Sequence, residues 1–403
     1  LYHKHMVTRS DFNKYILPVY NPAGFIPKKA KGSYLWDQNG KKFIDFATGI
    51  AVSNLGHCHP RLIKALNDQS KSIWHLSNVL VNQPALKLAK LLCQKTFAEK
   101  VFFTNSGAEA VEAAIKTARK YSTSNFSKSK NEIIAFNDAF HGRTMMAIAL
   151  NGSKRMTDGF GPMPKSIKHH EFNKIDGLGS KFSNKTSAVI LELVQGEAGI
   201  IPAKKKFVSA IVKLCKKNNA LLIIDEVQSG VGRTGSLFAY EQYGIKPDIL
   251  CSAKGMGNGI PIGAMLTTDK VAQNMIVGMH GSTYGGNPLA CAVSKEVFKI
   301  ISKKSFLKGV LKKEKLFLSL LNEMNKKVAV FSEIRSSGLW FGLKIDDTSK
   351  LTLANLMQAS YKEGLMILKA NNNTVRLAPS LNISKNDIER GVKKLEKAIL
   401  SLV

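Results

Sequence analysis

The sequence predicts an α/β protein built on a mostly parallel sheet. In the middle of the chain, short apolar segments alternate with longer amphipathic segments, as in successive strand–helix units. Polar residues and glycines follow directly after several apolar segments, which is typical of strands that end at a ligand site. The sequence has no visible internal repeat or low-complexity segment.

The predicted elements begin with a hairpin over 31–44, in which Asn39-Gly40 is a tight-turn signal. A strand at Val101–Thr104 leads into a helix over Gly107–Tyr121, with apolar residues recurring on one face. A crossover helix is predicted at Phe207–Lys217. The remaining predicted strands are Glu132–Phe136, Ala188–Val194, Leu221–Asp225, Ile249–Ser252, Gly263–Thr267, Val328–Leu343 and Val375–Leu377.

The two ends of the chain differ from its middle, because hairpin strands and amphipathic helices replace the regular alternation. We therefore predict a small α+β domain built from both chain ends and a large central α/β domain. The predicted boundaries are 1–60 for the N-terminal part of the small domain, 61–297 for the large domain and 298–403 for the C-terminal part.

The composition is that of a globular protein, apart from its charge. The 403 residues include 59 Lys and Arg against 29 Asp and Glu, a formal net charge of +30. Such a charge raises the possibility of nucleic-acid binding. The lysines are spread along the chain as doublets, however, without a basic motif interleaved with aromatic residues. We expect a solvated surface and no specific nucleic-acid partner.

Cysteine usage and hydropathy predict a cytoplasmic location. The five cysteines are widely spaced and form no C-x-x-C pair, which disfavours disulfides and a zinc site. No apolar run approaches the roughly 18 residues that a membrane span requires. His3, Lys4, His5, Arg9 and Asp11 interrupt the N-terminus, so we expect no signal core there and no membrane partner.

The ends of the predicted strands carry the chemistry. Asn105-Ser106-Gly107-Ala108-Glu109 follows the first strand, and Ser106 with Glu109 predicts a capping box. Gly107 would let a ligand approach the backbone, and the helix N-terminus would favour a phosphate. The same residues also fit an ordinary helix N-cap.

Three more strand ends carry reactive or charged side chains. Phe140, His141 and Arg143 follow one strand, and they suit a flat ring and an anionic substrate, although a packed loop also explains them. Asp225 ends the apolar strand Leu221–Asp225, where a carboxylate needs a positively charged partner. Lys254 precedes a glycine-rich turn, and partial burial there would lower its pKa. Each of the last two residues also fits a local salt bridge.

Together these four features indicate pyridoxal 5'-phosphate. That cofactor needs a phosphate cup, a lysine for a Schiff base, an acid at its ring nitrogen and an aromatic side chain over its ring. Each requirement is met at a different strand end.

The chain resembles the class III pyridoxal-phosphate-dependent aminotransferases, and among them most closely the acetylornithine aminotransferases, from Asp11 to about Glu396. The most specific matching runs are Gly56–Pro60, Asn105–Glu109, Ala139–Arg143, Gln195–Gly199, Asp225–Gln228, Ser252–Lys254 and His280–Pro288. The resemblance implies the fold type I architecture, with a seven-stranded sheet, and a homodimer with shared active sites.

The resemblance also implies roles for individual residues. Lys254 would form the Schiff base and Asp225 would hold the ring nitrogen protonated. The remaining implied cofactor residues are Ser106, Gly107, Ala108, Phe140, Glu226, Val227, Gln228 and, from the neighbouring subunit, Thr283. The implied substrate residues are Arg143, Ser282, Tyr20 and Arg376, with Glu197 screening Arg376 when that site is not needed.

The implied reaction transfers the terminal amine of N-acetylornithine to 2-oxoglutarate, giving a semialdehyde and glutamate in arginine biosynthesis. Ile50 favours an acylated donor, because ornithine aminotransferases are expected to carry Tyr there. N-succinyl-diaminopimelate, from lysine biosynthesis, and N-succinylornithine remain open as donors, as does ornithine. A basic nucleic-acid-binding protein without catalysis is the remote alternative.

Two further motifs are interpreted as structural. Gly230-Val231-Gly232-Arg233-Thr234-Gly235 matches the dinucleotide pattern G-x-G-x-x-G, but Asp225–Gln228 intervenes between the strand and the glycines. His57-Cys58-His59 suggests a metal site, yet adjacent residues cannot all turn toward one ion. We predict a turn there and no metal.

Overall fold

The computed structural model describes residues 6–403, so His3, Lys4 and His5 lie outside the described residues. The strands in chain order are β1 (Pro27–Lys31), β2 (Tyr34–Asp37), β3 (Lys42–Asp45), β4 (Lys100–Thr104), β5 (Glu132–Phe136), β6 (Ile167–His170), β7 (Thr186–Leu191), β8 (Val194–Gln195), β9 (Ile201–Pro202), β10 (Leu221–Asp225), β11 (Ile249–Ser252), β12 (Gly263–Thr267), β13 (Phe331–Ser336), β14 (Phe341–Ile345), β15 (Leu365–Met366), β16 (Leu368–Ala370) and β17 (Thr374–Leu377).

Helical segments alternate with these strands through the middle of the chain. They are α1 (Arg9–Tyr15), α2 (Thr48–Ala51), α3 (Pro60–Ser70), α4 (Gln83–Lys95), α5 (Gly107–Asn125), α6 (Met145–Leu150), α7 (Lys154–Thr157), α8 (Lys205–Lys217), α9 (Asp269–Ala272), α10 (Pro288–Ile301), α11 (Lys304–Val328), α12 (Leu353–Lys362) and α13 (Lys385–Leu400). Short 3₁₀ turns lie at Gly179–Lys181, Ala239–Tyr243 and Lys254–Met256.

A seven-stranded sheet forms the centre of the molecule, in the order β4-β12-β11-β10-β7-β5-β6. The neighbours from β11 to β6 pair in parallel, whereas β12 is antiparallel to both β11 and β4. The predicted α/β class with a mostly parallel sheet is therefore confirmed.

Helices cover both faces of this sheet. Val111 and Ile115 of α5 pack on the face that includes Ile223, while Phe207 of α8 packs on the face that includes Ile224. Because successive residues of a strand point to opposite faces, strands buried on both sides are continuously apolar. Because these strands are parallel, their carboxyl ends lie along one edge of the sheet. This edge carries the polar residues that the sequence motifs indicated.

Both chain ends contribute to the smaller sheets. Strands β1, β2 and β3 form an antiparallel meander, to which β15 adds in parallel beside β3. Strands β13, β14, β17 and β16 form a separate antiparallel sheet. The predicted hairpin is confirmed, and Gly40 has the positive φ of 83° that its turn requires. The domain boundaries at 60 and 297 remain predictions.

Two predicted strands are wrong in extent. The strand predicted at Ala188–Val194 stops at Leu191, because the carbonyl of Leu193 turns away to accept hydrogen bonds from Ala203 N (2.8 Å) and Tyr243 Oη (3.2 Å). The segment predicted as strand over Val328–Leu343 begins as the last residue of α11 and then forms the β13–β14 hairpin. In addition, α5 continues past Tyr121 to Asn125.

The glycines of the dinucleotide-like segment pack against the core. Arg233, between Gly232 and Gly235, is fully buried, and its guanidinium donates to the carbonyls of Leu339 (2.7 Å) and Pro379 (2.6 Å). This segment, which follows β10 of the central sheet, therefore contacts the C-terminal part of the chain through a buried arginine.

The short segment labelled α2, directly after β3, is a left-handed turn and not a regular α-helix. Thr48, Gly49, Ile50 and Ala51 have φ values of 46°, 65°, 67° and 58°. Glycine adopts this conformation freely, whereas it costs other residues roughly 1–2 kcal/mol each. Such a run needs strong support from its surroundings.

Buried polar contacts hold this turn. Oδ1 of Asp45 accepts hydrogen bonds from the backbone of Ala47 (2.8 Å) and Thr48 (2.9 Å), and its Oδ2 contacts Nε2 of His57 at 2.6 Å. The hydroxyl of Thr48 donates to the carbonyl of Ala378 at 2.6 Å. The turn is therefore fixed to both ends of the chain.

Candidate active site

A cavity of about 310 Å³ opens at the carboxyl ends of the central strands. Its walls come from the segments after β4, β5, β7, β10 and β11, which are distant in sequence but meet at this edge of the sheet. The lining residues include Val52, Asn105, Ser106, Gly107, Ala108, Phe140, His141, Glu192, Asp225, Val227, Gln228, Lys254 and Ile262.

The N-terminus of α5 forms one end of the cavity. Oγ of Ser106 accepts a hydrogen bond from the backbone N–H of Glu109 at 3.2 Å, as the capping prediction requires. The Glu109 carboxylate instead reaches the N–H of Asn105, so the predicted reciprocal bond to Ser106 is replaced by one to its neighbour. A β-carbon at Gly107 would lie 2.7 Å from Cγ1 of Val227. Only glycine fits there, and the free N–H groups of the first turn face the cavity end.

Asp225 ends β10 at the cavity floor and is 4% exposed. Its Oδ2 lies 2.7 Å from Nδ1 of His141, and its Oδ1 accepts the N–H of Val227 at 3.0 Å. Burial lowers the pKa of His141, but the hydrogen bond and charge of Asp225 outweigh that effect and raise it above its ordinary value. His141 is thus the partner of Asp225, and its raised pKa favours the positively charged form expected beside this carboxylate.

Glu192 is a second buried carboxyl at the cavity, and it belongs to none of the motifs that predicted the site. Burial raises the pKa of Glu192 to about 8, and the nearby charge of Asp225 acts in the same direction. Its Oε2 accepts the backbone N–H of Phe140 at 3.0 Å, which fixes the chain where the aromatic ring enters the cavity. Its position directly after an apolar strand, as for Asp225, was the signal that could have identified it.

Lys254 faces the same cavity as Asp225. It is partly buried, and it opens a short 3₁₀ turn with a left-handed φ of 45°. Burial lowers the pKa of Lys254 to about 8, helped by the positive charge of Arg376, while the carboxylates around the cavity oppose the shift. The neutral, nucleophilic form of this amine is therefore reached at a lower pH than that of an ordinary lysine.

Glu197 and Arg376 form a largely buried ion pair next to Gln228. Nη1 of Arg376 donates to Oε1 of Glu197 at 2.5 Å, and Nε2 of Gln228 reaches the same oxygen at 3.5 Å. Burial opposes ionisation of Glu197, but the charge of Arg376 prevails and holds the pKa of this carboxyl below its ordinary value. The two residues predicted to act together are thus in contact.

The backbone of this segment is held by the C-terminal part of the chain. The N–H of Asn371 donates to the carbonyl of Glu197 at 2.8 Å, and Nδ2 of Asn372 donates to that of Ala198 at 2.9 Å. Nε of Arg335 donates to the carbonyl of Gly199 at 3.0 Å. With its main chain fixed in this way, Glu197 can leave Arg376 only by rotation of its side chain.

The remaining predicted residues differ in where they lie relative to the cavity. Arg143 is exposed, with its guanidinium carbon 5.4 Å from the centroid of the Phe140 ring. Ser282 and Thr283 lie in a neighbouring hollow, where Oγ of Ser282 accepts from Nδ2 of Asn105 at 3.2 Å. Tyr20 is 72% exposed and does not line the cavity.

Glu226 is not brought to the cavity. Its carboxylate turns away from it to accept the backbone N–H groups of Ala239 (2.6 Å) and Tyr240 (2.7 Å). Consecutive residues after a strand point in opposite directions, so Asp225 and Val227 face the cavity while Glu226 caps the turn behind it. The prediction of Glu226 as a cofactor residue is not supported by this geometry.

The described part of the chain also bears on metal and membrane binding. Across residues 6–403, no group of three or more His, Cys, Asp or Glu side chains is arranged to hold a metal ion. Over the same range, no helix is both long and apolar enough to cross a membrane.

The lowered pKa of Lys254 gives a measurable pH dependence. Because burial favours the neutral amine, we expect reductive alkylation of Lys254 by a small aldehyde in the cofactor-free protein to be half-maximal near pH 8. Peptide mapping by mass spectrometry would follow this site and, as internal controls, exposed lysines such as Lys64. Alkylation of Lys254 only in step with the exposed lysines would contradict the argument from burial.

Known proteins resemble this chain over nearly its whole length. A family model described as aminotransferase class-III matches residues 17–399. The acetylornithine/succinyldiaminopimelate aminotransferase of Buchnera aphidicola subsp. Schizaphis graminum is 51% identical, covering 98% of each chain. The succinylornithine transaminase/acetylornithine aminotransferase of Pseudomonas aeruginosa is 48% identical with the same coverage.

Solved structures show the same architecture. The N-acetylornithine aminotransferase of Stenotrophomonas maltophilia K279a is 35% identical, with a TM-score of 0.85, and the match covers 97% of this chain and 98% of that chain. The ornithine aminotransferase of Toxoplasma gondii ME49 is 28% identical, with a TM-score of 0.93, and the match covers 98% of this chain and 96% of that chain. The chain belongs to the class III aminotransferases, as its sequence motifs predicted.

Proposed function

We propose that this protein is a pyridoxal 5'-phosphate-dependent aminotransferase that converts N-acetylornithine and 2-oxoglutarate into N-acetylglutamate 5-semialdehyde and glutamate, a step of arginine biosynthesis. The observation that carries the proposal is the convergence of Lys254, Asp225 and the N-terminus of α5 on one cavity. The names of relatives about half identical over nearly the whole chain support the choice of substrates.

The residues present fit this cofactor. The first turn of α5, with Gly107 packed tightly against Val227, offers backbone N–H groups to a phosphate. Phe140 and Val227 also line the cavity and give it apolar walls for a flat ring. Asp225, buried and paired with His141, offers a carboxylate to a ring nitrogen.

Each of these residues then has a definite task. Lys254 would hold the aldehyde carbon, Asp225 the ring nitrogen, and Gln228 the ring hydroxyl. When bound, pyridoxal 5'-phosphate supplies an electron sink that stabilises the carbanion left when a proton is removed from the substrate carbon. Lys254, once free, would move that proton, acting first as base and then as acid, and its pKa of about 8 suits both directions near neutral pH.

The Glu197–Arg376 pair addresses the need to accept two different substrates. The first substrate presents its terminal amine, whereas glutamate presents an α-carboxylate close to the reacting carbon. A bare arginine would attract that carboxylate but would be an unpaired buried cation without it. Pairing with Glu197 at 2.5 Å removes this penalty, and rotation of Glu197 would expose Arg376 to the dicarboxylate.

Arg143 and Ser282 complete the proposed substrate site. The exposed guanidinium of Arg143, above Phe140, would bind the carboxylate that lies far from the reacting carbon in either substrate. Tyr20 is included on resemblance alone. Ile50, 39% exposed in the described chain, would leave apolar room for an acyl group.

The quaternary state and location belong to the same proposal. An exposed loop carries Thr283, and we propose that it reaches the cofactor phosphate of a second copy in a homodimer with two shared sites. The free cysteines among the described residues and the biosynthetic reaction support a cytoplasmic location. We propose that the lysine excess is solvated surface without a specific nucleic-acid partner.

A panel of amine donors tests the substrate assignment. With 2-oxoglutarate as acceptor, we expect kcat/KM to be highest for N-acetylornithine and at least about tenfold lower for ornithine. The reason is that Ile50 leaves an apolar space for the acyl group, which the free amine of ornithine does not fill. N-succinylornithine and N-succinyl-diaminopimelate are the comparison donors. A preference for ornithine would contradict the assignment. A preference for a succinylated donor would also contradict it and would assign the enzyme to the reaction of that donor. A Lys254→Ala control should show no turnover with any donor.

Mixing of inactive subunits tests the shared sites. A heterodimer of Lys254→Ala and Thr283→Ala subunits should hold one doubly altered site and one intact site. It should therefore recover roughly half the activity of a wild-type dimer, because the lesions lie in different chains but fall in one site. Mixed dimers no more active than the mean of their parents would show that Thr283 does not act across the interface.

A further inference from the structure

A tryptophan that does not line the cavity packs against the segment that carries Glu197. Trp340 directly precedes β14, and its side chain is completely buried. A β-carbon on Gly196 would lie 2.5 Å from Cζ2 of this indole and 2.7 Å from Oε1 of Gln228. The φ of Gly196 is not left-handed, so lack of space, and not backbone conformation, excludes a side chain there. The indole ring and the carboxamide therefore meet at the residue before Glu197.

Strand β14 supports both partners of the buried ion pair. Its Gly342 is paired with Arg376 of β17. A β-carbon on Gly342 would overlap the carbonyl oxygen of Gly199, so β14 also runs close against the segment that carries Glu197. Trp340 occupies the space at the start of this strand. The position of Glu197 relative to Arg376 therefore depends on how β14 and the preceding indole fit that segment.

Core packing alone does not explain an indole at this position. Nε1 of Trp340 is buried and has no hydrogen-bond partner in the described part of the chain. An unpartnered buried donor lowers stability, and a leucine or phenylalanine side chain would avoid that loss. The apolar neighbours of the ring include Val194 and Ile200, on either side of the Glu197 segment. What the indole adds to such a cluster is its reach to Gly196.

Gln228 connects this packing with the ion pair. Its Nε2 lies 3.5 Å from Oε1 of Glu197, and its Oε1 accepts from Nη1 of Arg376 at 3.4 Å. Burial raises the pKa of Glu197, but the charge and hydrogen bond of Arg376 lower it, and the hydrogen bond from Gln228 adds to that effect. Gln228 therefore favours the ionised, paired state. Displacement of its carboxamide from Gly196 would weaken that state.

We propose that Trp340 is a positioning residue that sets how readily Glu197 leaves Arg376. Packed against Gly196, the indole keeps Gln228 between the two partners and so favours the paired state over a free arginine. The inference rests on the proposed function, because it assumes the two-substrate site described there. It adds a residue outside the cavity that sets the balance between the amine donor, which leaves the pair intact, and the dicarboxylate, which separates it.

The two half-reactions, measured separately, test this role. Second-order rate constants would be determined by single turnover for N-acetylornithine with the pyridoxal 5'-phosphate form and for 2-oxoglutarate with the pyridoxamine 5'-phosphate form. Trp340→Leu removes the ring atoms at Gly196 and should weaken the pair. We expect the ratio of the 2-oxoglutarate constant to the N-acetylornithine constant to rise by about three- to tenfold. General loosening of the protein would instead lower both constants together.

Dicarboxylate binding gives a second measurement that does not depend on turnover. Glutarate carries two carboxylates and no reacting group, so its Kd for the pyridoxal 5'-phosphate form reports access to Arg376. Isothermal titration calorimetry should show a Kd about three- to tenfold lower in Trp340→Leu than in the wild type. Phe317→Leu is the matched control, since Phe317 is equally buried but packs against Phe46 and Phe341. It should lower Tm similarly and leave the ratio and the Kd unchanged.

Substitution at Gly196 tests the contact from the other side and covers poor folding of Trp340→Leu. Gly196→Ala places a methyl group where the indole and the carboxamide of Gln228 lie, so it should also raise the ratio. In the double variant with Trp340→Leu, the methyl group takes up part of the vacated space. Its ratio should therefore lie closer to that of the wild type than the ratio of either single variant.

The outcomes separate this inference from the proposed function. If the wild-type enzyme converts neither substrate, the proposed function fails and this inference fails with it. If the wild-type enzyme is active but Trp340→Leu changes the ratio no more than Phe317→Leu, the inference alone is overturned. An unchanged Kd for glutarate in Trp340→Leu, or effects of Gly196→Ala and Trp340→Leu that simply add in the double variant, would overturn it as well.

Discussion

A buried carboxylate at the end of a central strand organises the candidate active site. Asp225 is enclosed at the carboxyl end of β10, where an ion without a partner would cost several kcal/mol. Nδ1 of His141, from the segment after β5, lies 2.7 Å from Oδ2 of Asp225, and this carboxylate raises the pKa of His141. Oδ1 of Asp225 accepts the N–H of Val227, and the residue also lines the cavity. The order of the strands then decides what else can lie nearby.

Strand order brings the reactive groups together from distant parts of the chain. Because β10 lies between β7 and β11, Glu192 and Lys254 at the ends of those strands are the neighbours of Asp225. Enclosure by these strands raises the pKa of Glu192 to about 8 and lowers that of Lys254 to about 8. Both shifts have the same main cause, since burial disfavours whichever form of a group carries charge.

The reactive residues at the strand ends are the part of the structure that was predicted best from the sequence. Asp225 and Lys254 could be found because a charged residue directly after a continuously apolar strand has few structural explanations. The strands β5, β10, β11 and β12 also match their predicted bounds, since fully buried strands produce unbroken apolar runs.

The remaining features depend on contacts that no local pattern contains. Glu192 was overlooked although it follows the same rule as Asp225, and Glu226 was assigned to the cofactor although its side chain points away from the cavity. The end of β7 at Leu191 is set by Tyr243 and Ala203, which are distant in sequence. The left-handed turn after β3 could not be predicted from the sequence either, because Thr48, Ile50 and Ala51 are residue types that favour other conformations.

The protonation of the cofactor's ring nitrogen is the most direct test of the role assigned to Asp225. The ¹⁵N chemical shift of the ring nitrogen would be measured for labelled pyridoxal 5'-phosphate bound to the wild-type protein and to Asp225→Asn, near neutral pH. The geometry of Asp225 and His141 predicts a protonated nitrogen in the wild type and an unprotonated one in the variant. An unprotonated nitrogen in the wild type, or the same shift in both proteins, would contradict the account.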